Sequence, residues 1–161
     1  MSTNINKKVL MTVLIIGCFL STLNQTLLNV ALSSLMDVFK VSPSTVQWLA
    51  TGFMLVNGIL IPITAYLMKR FSTRQLFISS MTLLLLGTIF CALAPNFSIL
   101  LTGRMIQAAG AGIIMPLMMS IVMFIYPPEN RGSAMGLIGF ASIFAPAIAP
   151  PLAGFILEYF S

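Results

Sequence analysis

The sequence predicts an all-α integral membrane protein of five transmembrane helices, and three observations predict it. Of its 161 residues, 58% are hydrophobic and only 7% charged, where soluble domains carry roughly a quarter charged. The apolar residues fall into five runs, near 9–32, 46–67, 76–94, 100–125 and 134–157, each near or above the about 20 residues that cross a hydrocarbon core as a helix. Basic residues gather in alternate gaps between the runs, which is the pattern that orients a multi-pass chain.

The first run follows Lys7 and Lys8 and superficially resembles a secretory signal. It is longer than a signal core, ends in polar amides and precedes four further runs, so it reads as a retained span. Ser21, Thr22, Asn24, Gln25, Thr26 and Asn29 lie within it. Gln25 and Asn29, four apart, share a helix face, with Asn24 about 100° round. An unpaired amide in hydrocarbon costs on the order of several kcal/mol. These amides therefore either bond neighbouring helices or line a polar cavity.

The second run opens on Ser42-Pro43, a cap with proline in the first turn, and Ser44 with Gln47 makes a candidate capping box. Asn57, Gly58 and Pro62 interrupt its middle. Trp48 near one end, and Tyr66 and Phe71 near the other, suit the two interfaces. The third run, QLFISSMTLLLLGTIFCALA, is the plainest. Its Ser79, Ser80 and Thr82 bond their own helix carbonyls, and it is expected to face lipid and supply no site.

The fourth run carries Arg104 and Gln107. Arg104 lies roughly 12 Å outward of the span centre at about 1.5 Å per residue. Snorkelling to the interface is open to it, but Gly103, Gln107, Gly110 and Ala111 form a small, polar face beside it that suggests burial. An intramembrane arginine is a functional-site candidate. Gln25 and Gln107 come out at similar depth, each about 7 Å outward of centre, so the guanidinium is expected to point toward the first-span amides. Met115, Met118, Met119 and Met123 suit either a promiscuous apolar wall or a lipid-facing surface.

The fifth run has no charge from Ala134 to Leu157. Gly132, Gly136, Gly139, Ser142, Pro146, Pro150, Ala153 and Gly154 recur at helical spacing. A small face permits close helix approach in lipid, and Pro146, Pro150 and Pro151 remove backbone donors. This run is the candidate pivot helix.

Lys7 and Lys8, then Lys69, Arg70 and Arg74, then Arg131 occupy one set of gaps; Lys40 with Asp37 and the uncharged PNFS occupy the other. The amino terminus and the 68–75 and 126–133 loops are thus expected in the cytoplasm, and Glu158 outside. Cys18 and Cys91 fall inside apolar runs and read as packed thiols rather than a disulfide. There is no histidine, and no Asp or Glu lies within a span. No metal, no organic cofactor and no enzymatic chemistry are expected from such residues. Nor is nucleic acid an expected partner, because the basic residues form no solvated patch.

Four motifs, in this order and spacing, make the chain resemble the N-terminal part of the major facilitator superfamily. They are LNQTLLNVAL at 23–32, AYLMKRFSTRQLF at 65–77, GRMIQAAGAG at 103–112 and GFASIFAPAIAPPLAG at 139–154. The likeness is to the fourteen-spanner drug:proton antiporter branch, which includes lincomycin-resistance-type and related multidrug exporters. Asn24 stands where that branch often has an acid, Ala65 and Lys69 where the loop signature has Gly and Asp, and Ala149 where the fifth-span motif has Gly.

The resemblance implies five helices of an incomplete N-terminal six-helix bundle, spanning residues 1–161. It implies proton-gradient-driven efflux of small amphipathic drugs across the cytoplasmic membrane. Arg104 would serve proton coupling. Asn24, Gln25, Asn29 and Gln107 would line the polar cavity. Gly139, Pro146, Pro150 and Gly154 would form the fifth-span hinge, and Lys69, Arg70 and Arg74 the cytoplasmic gate. Such transporters hold substrate between two halves, so five spans alone are expected to be inactive without the missing half or a partner membrane protein. The rival expectation is a five-span accessory or assembly subunit without transport activity.

Overall fold

The computed structural model describes residues 7–160, with side chains over 9–155. The side chains of Lys7, Lys8 and Glu158, which carried part of the expected orientation, lie outside the described residues. The described chain is helical throughout: α1 (Lys7–Val30), α2 (Leu32–Phe39), α3 (Pro43–Val46), α4 (Trp48–Arg70), α5 (Thr73–Ala92), α6 (Phe97–Ile125) and α7 (Pro128–Phe160). Five stretches are long and apolar enough to cross a membrane: Val9–Val30, Pro43–Arg70, Thr73–Ala92, Phe97–Ile125 and Pro128–Phe155. They match the five predicted runs, with most ends displaced by a few residues. The short α2 continues the first run beyond the span.

Capping residues set the helix starts. Ser42 caps α3, its Oγ accepting from the Thr45 amide at 3.2 Å, with Pro43 in the first turn. The capping box expected at Ser44 and Gln47 is not formed; Ser44 instead shares a hydroxyl contact with Ser42 at 2.9 Å. A complete box occurs at Ser72 and Gln75, opening α5. Asn96 caps α6 by accepting from the Ile99 amide at 3.0 Å. At Lys40, φ is 50°, and this left-handed residue ends α2 and turns the chain toward α3. Pro62, Pro116, Pro146, Pro150 and Pro151 all sit inside helices that continue through them.

The short connections reverse the chain, but neighbours in sequence are not the main neighbours in space. α6 is the centre, packed along α5 on one side and α4 on another, while α1 packs chiefly along α7. Two buried clusters result. Leu14, Cys18, Ile114, Leu117, Met118 and Val122 belong to the larger. Val46, Leu49 and Leu100 form the smaller, beneath α2. Phe39 meets Phe97 edge-on, with ring centroids 6.4 Å apart.

The α5–α6 seam corrects the expectation that the third run merely faces lipid. A Cβ placed on Gly87 would lie 2.7 Å from both the Gln107 nitrogen and the Gly103 oxygen, and one on Gly110 would lie 2.5 Å from the Ser80 oxygen. The two backbones touch over about two turns. Direct backbone contact of this kind needs residues without side chains, and it is a principal source of helix adhesion in lipid.

The fifth run packs through a different face from the one its glycines suggested. Its buried stripe is Ala134, Ile138, Ala141, Ala145, Ala149 and Ala153. A Cβ on Gly132, Gly136, Gly139 or Gly154 meets nothing within 4 Å. Alanines, not glycines, make the contact with α1. The glycine face of α7 is open among the described residues.

Candidate functional site

Arg104 is fully buried. It does not snorkel, because the turns of α6 around it are themselves covered by α4 and α5. Its Nη1 donates to Gln107 Oε1 at 2.8 Å and to Asn24 Oδ1 at 3.3 Å. The guanidinium carbon lies 4.5 Å from the centroid of Phe53, a buried residue of α4. This is a cation–π contact, favoured where water is excluded. Gln107 uses its other end: Nε2 donates to Thr88 Oγ1 of α5 at 2.9 Å, and Thr88 Oγ1 donates to the Leu84 carbonyl at 2.7 Å.

Three helices therefore meet at one guanidinium, and a fourth, α5, is tied to it through Gln107. α1 gives Asn24, α4 gives Phe53, α5 gives Thr88, and α6 gives Arg104 and Gln107. Helix periodicity explains the pair on α6, since residues three apart share a face. Arg104 Nε and Nη2 are buried and have no hydrogen-bond partner. A buried guanidinium has five N–H donors to satisfy, so this one retains donors for a further acceptor.

Beside this group lies a cavity of about 530 Å³ between α1, α5, α6 and α7. Asn24, Thr88 and Gln107 give it a polar patch, Cys91 adds a thiol, and Leu28 and Leu35 are among its apolar lining. Part of α2 overhangs it through Leu35. Cys18 and Cys91 are both free thiols. Cys18 Sγ is 3.5 Å from Ser142 Oγ on α7, and Cys91 Sγ is 3.7 Å from the Leu100 carbonyl oxygen.

Of the predicted polar residues, Asn24, Arg104 and Gln107 come together. Gln25 is half-buried and lies outside this group, and Asn29 is exposed. The i, i+4 pair that looked strongest in the sequence is thus not the one on the arginine; Asn24, about 100° away, is. Thr88 was missed, because a lone threonine in a plain apolar run carries no periodic signal. Phe53 was missed for the same reason.

Pro146, Pro150 and Gly154 are exposed and Gly139 half-buried, all on α7 and away from the arginine group. Lys69, Arg70 and Arg74 are exposed around the α4–α5 turn. Arg70 donates to Tyr66 Oη at 3.4 Å. At the next turn on the same end, Arg131 donates to the Tyr126 carbonyl at 3.1 Å and the Met123 carbonyl at 2.9 Å, covering carbonyls that the end of α6 leaves free. Among the described residues no group of His, Cys, Asp or Glu has the arrangement to hold a metal.

This arrangement has relatives. YhcA of Bacillus subtilis, described as an MFS-type transporter, is 53% identical over 97% of this chain and 29% of its own length. The lincomycin resistance protein LmrB of Bacillus subtilis is 45% identical over 93% of this chain and 31% of its own length. The multidrug export protein EmrB of Haemophilus influenzae is 36% identical over 89% and 28%. The chain spans about a third of the length of these relatives. Among solved structures, an inward-facing bacterial homologue of the human lysosomal transporter Spinster superimposes with a TM-score of 0.80. It is 21% identical and covers 96% of this chain and 33% of that one, which supports the fold alone. The profile of the Major Facilitator Superfamily matches residues 14–161. With its helices packed as in a solved transporter and its sequence related to lincomycin-resistance and multidrug exporters, this chain belongs to the Major Facilitator Superfamily.

Proposed function

We propose that these five spans form part of a proton-coupled exporter of small amphipathic drugs in the cytoplasmic membrane, with the amino terminus in the cytoplasm. The reading rests on one observation above the others: a fully buried arginine with two nitrogens free of partners. A buried charge is costly unless paired, and here the pairing is neutral and incomplete. Such a group is poised to accept a carboxylate or another anionic acceptor presented at one stage of a transport cycle. The proton motive force is the energy source in this reading, and no organic cofactor or metal takes part. Among the described residues the acids stand at helix ends or outside the spans, Asp37 on α2 and Glu129 in the first turn of α7, and neither bonds Arg104, so this reading takes the titrating carboxyl from elsewhere in the assembly. The neighbouring cavity, with Asn24 and Gln107 at its wall, offers amides to a drug's polar atoms and aliphatic side chains to the rest.

The orientation follows from Lys69, Arg70, Arg74 and Arg131 lying at one end. Lincomycin is the first substrate to test, because relatives at 44–45% identity carry that resistance. The experiment uses everted membrane vesicles containing a transporter that carries this half. Drug addition is expected to release protons, and Arg104→Ala is expected to abolish that release while protein level holds. Undiminished export by Arg104→Ala, or export that persists after the proton gradient is collapsed, would remove the reading. Stoichiometric co-purification with another membrane protein, without drug-dependent proton movement, would support an accessory role instead.

A further inference from the structure

We propose that the groove between α1, α4, α5 and α6 at the Lys69–Arg74 end is a binding site for one anionic phospholipid. Its phosphate would sit on Lys69 and Arg74, and an acyl chain would lie along the apolar floor. The groove encloses about 620 Å³, within the range of small-molecule sites, about 300–1,000 Å³. It is separate from the arginine group and shares no lining residue with the cavity beside it. Val13 of α1, Leu76 and Phe77 of α5, and Ile121 and Phe124 of α6 give it apolar walls, and Lys69 and Arg74 stand at its mouth.

Charge decides the occupant. The whole chain has three acids, Asp37, Glu129 and Glu158, and none lines this groove. Neither Lys69 nor Arg74 has an ion-pair partner among the described residues, and both are exposed. A cationic amphiphile would be repelled at the mouth. A neutral one would leave two charges unused. An anionic headgroup with an aliphatic tail satisfies both parts, and basic pockets between transmembrane helices bind such headgroups. The positions fit as well: Lys69 is in the last turn of α4 and Arg74 in the first turn of α5, at the adjoining ends of two membrane-length helices. Ser72, between them, caps α5 and holds the two basic residues across one tight turn. The proposal requires only that the chain is embedded in a bilayer, not that it transports.

The test is native mass spectrometry of the transporter purified whole, with phosphatidylglycerol or phosphatidylethanolamine titrated in. Two basic residues near the surface predict about a 30-fold preference for phosphatidylglycerol. The double variant Lys69→Gln with Arg74→Gln is expected to lower that preference to less than threefold. The charge-retaining pair Lys69→Arg with Arg74→Lys is expected to keep it. A photoreactive phosphatidylglycerol should label residues of the groove, Val13, Phe77 or Phe124, in the native protein. Millimolar glycerol phosphate, the headgroup without tails, should not displace the lipid. The proposal fails if the two lipids bind equally or if the neutral pair binds as the native protein does. It also fails if labelling falls elsewhere, if the tail-less headgroup competes, or if another protein segment is cross-linked into the groove.

Discussion

Arg104 reaches Gln107 across one turn of α6: its Nη1 donates to the amide oxygen at 2.8 Å, while the amide nitrogen donates to Thr88 of α5 at 2.9 Å. Gln107 thus links a charge to a second helix. The two ends of this linkage respond differently to mutation. Replacing Arg104 by Leu removes a buried charge but leaves the Gln107 and Asn24 amide oxygens without their donor, at about 1–3 kcal/mol. Arg104→Leu is expected to unfold at a modestly lower temperature in detergent and to lack coupled export. Gln107→Leu leaves the charge and loses its best acceptor, at a cost of about 3–5 kcal/mol. Thermal unfolding followed by tryptophan fluorescence checks the contrast.

Thr88→Val is nearly the same size but cannot accept from Gln107. One buried amide nitrogen then goes unpaired, costing about 1–3 kcal/mol. Thr88→Ser restores the hydroxyl and is expected to recover most of the loss. Equal stability of Val and Ser variants would show that the Thr88 hydroxyl holds nothing.

The backbone contact between α5 and α6 predicts a sharp difference among glycines. Gly110→Leu places a side chain where the Ser80 oxygen already sits 2.5 Å from the Cβ position. Folding in the membrane is expected to fail, with protein level falling about tenfold or more through degradation. Gly139→Leu meets open space and is expected to alter the stability of these five helices by less than about 0.5 kcal/mol. Any loss of export in Gly139→Leu would then come from a surface that α7 presents outward. Quantitative immunoblotting of membranes separates the two.

Ser72 caps α5 through a reciprocal pair with Gln75. Ser72→Ala is expected to destabilise by about 1 kcal/mol and to speed amide exchange in the first turn of α5. Hydrogen exchange read by mass spectrometry gives the result directly.

The reach of the sequence differs between elements for identifiable reasons. Five apolar runs, and a buried Arg104 facing the first-span amides, were legible because hydrocarbon penalises exposed polar groups so heavily that few placements survive. Which helix faces which was not legible, since lipid-facing and helix-facing residues are both apolar. The third run shows this: Gly87 and Ser80 are buried in a tight seam, yet nothing about their neighbours distinguishes that run from a lipid-facing one. The fifth run shows the converse. Its glycines and prolines suggested the contact surface, but the periodic alanines make it. Gln25 with Asn29 looked stronger than Asn24 because spacing fixes only which residues share a face, not where that face points.

The division of packing has a mechanical consequence. α4, α5 and α6 are joined by side chains and touching backbones, while α1 and α7 form a second pair. At the guanidinium, that second leaf is held by a single stretched contact, Asn24 to Arg104 at 3.3 Å. Sliding one leaf past the other would break that contact first, leaving Arg104 short of another acceptor before any other buried polar contact in the group is lost. Such a displacement would be felt at the buried cation as the loss of one of its two acceptors.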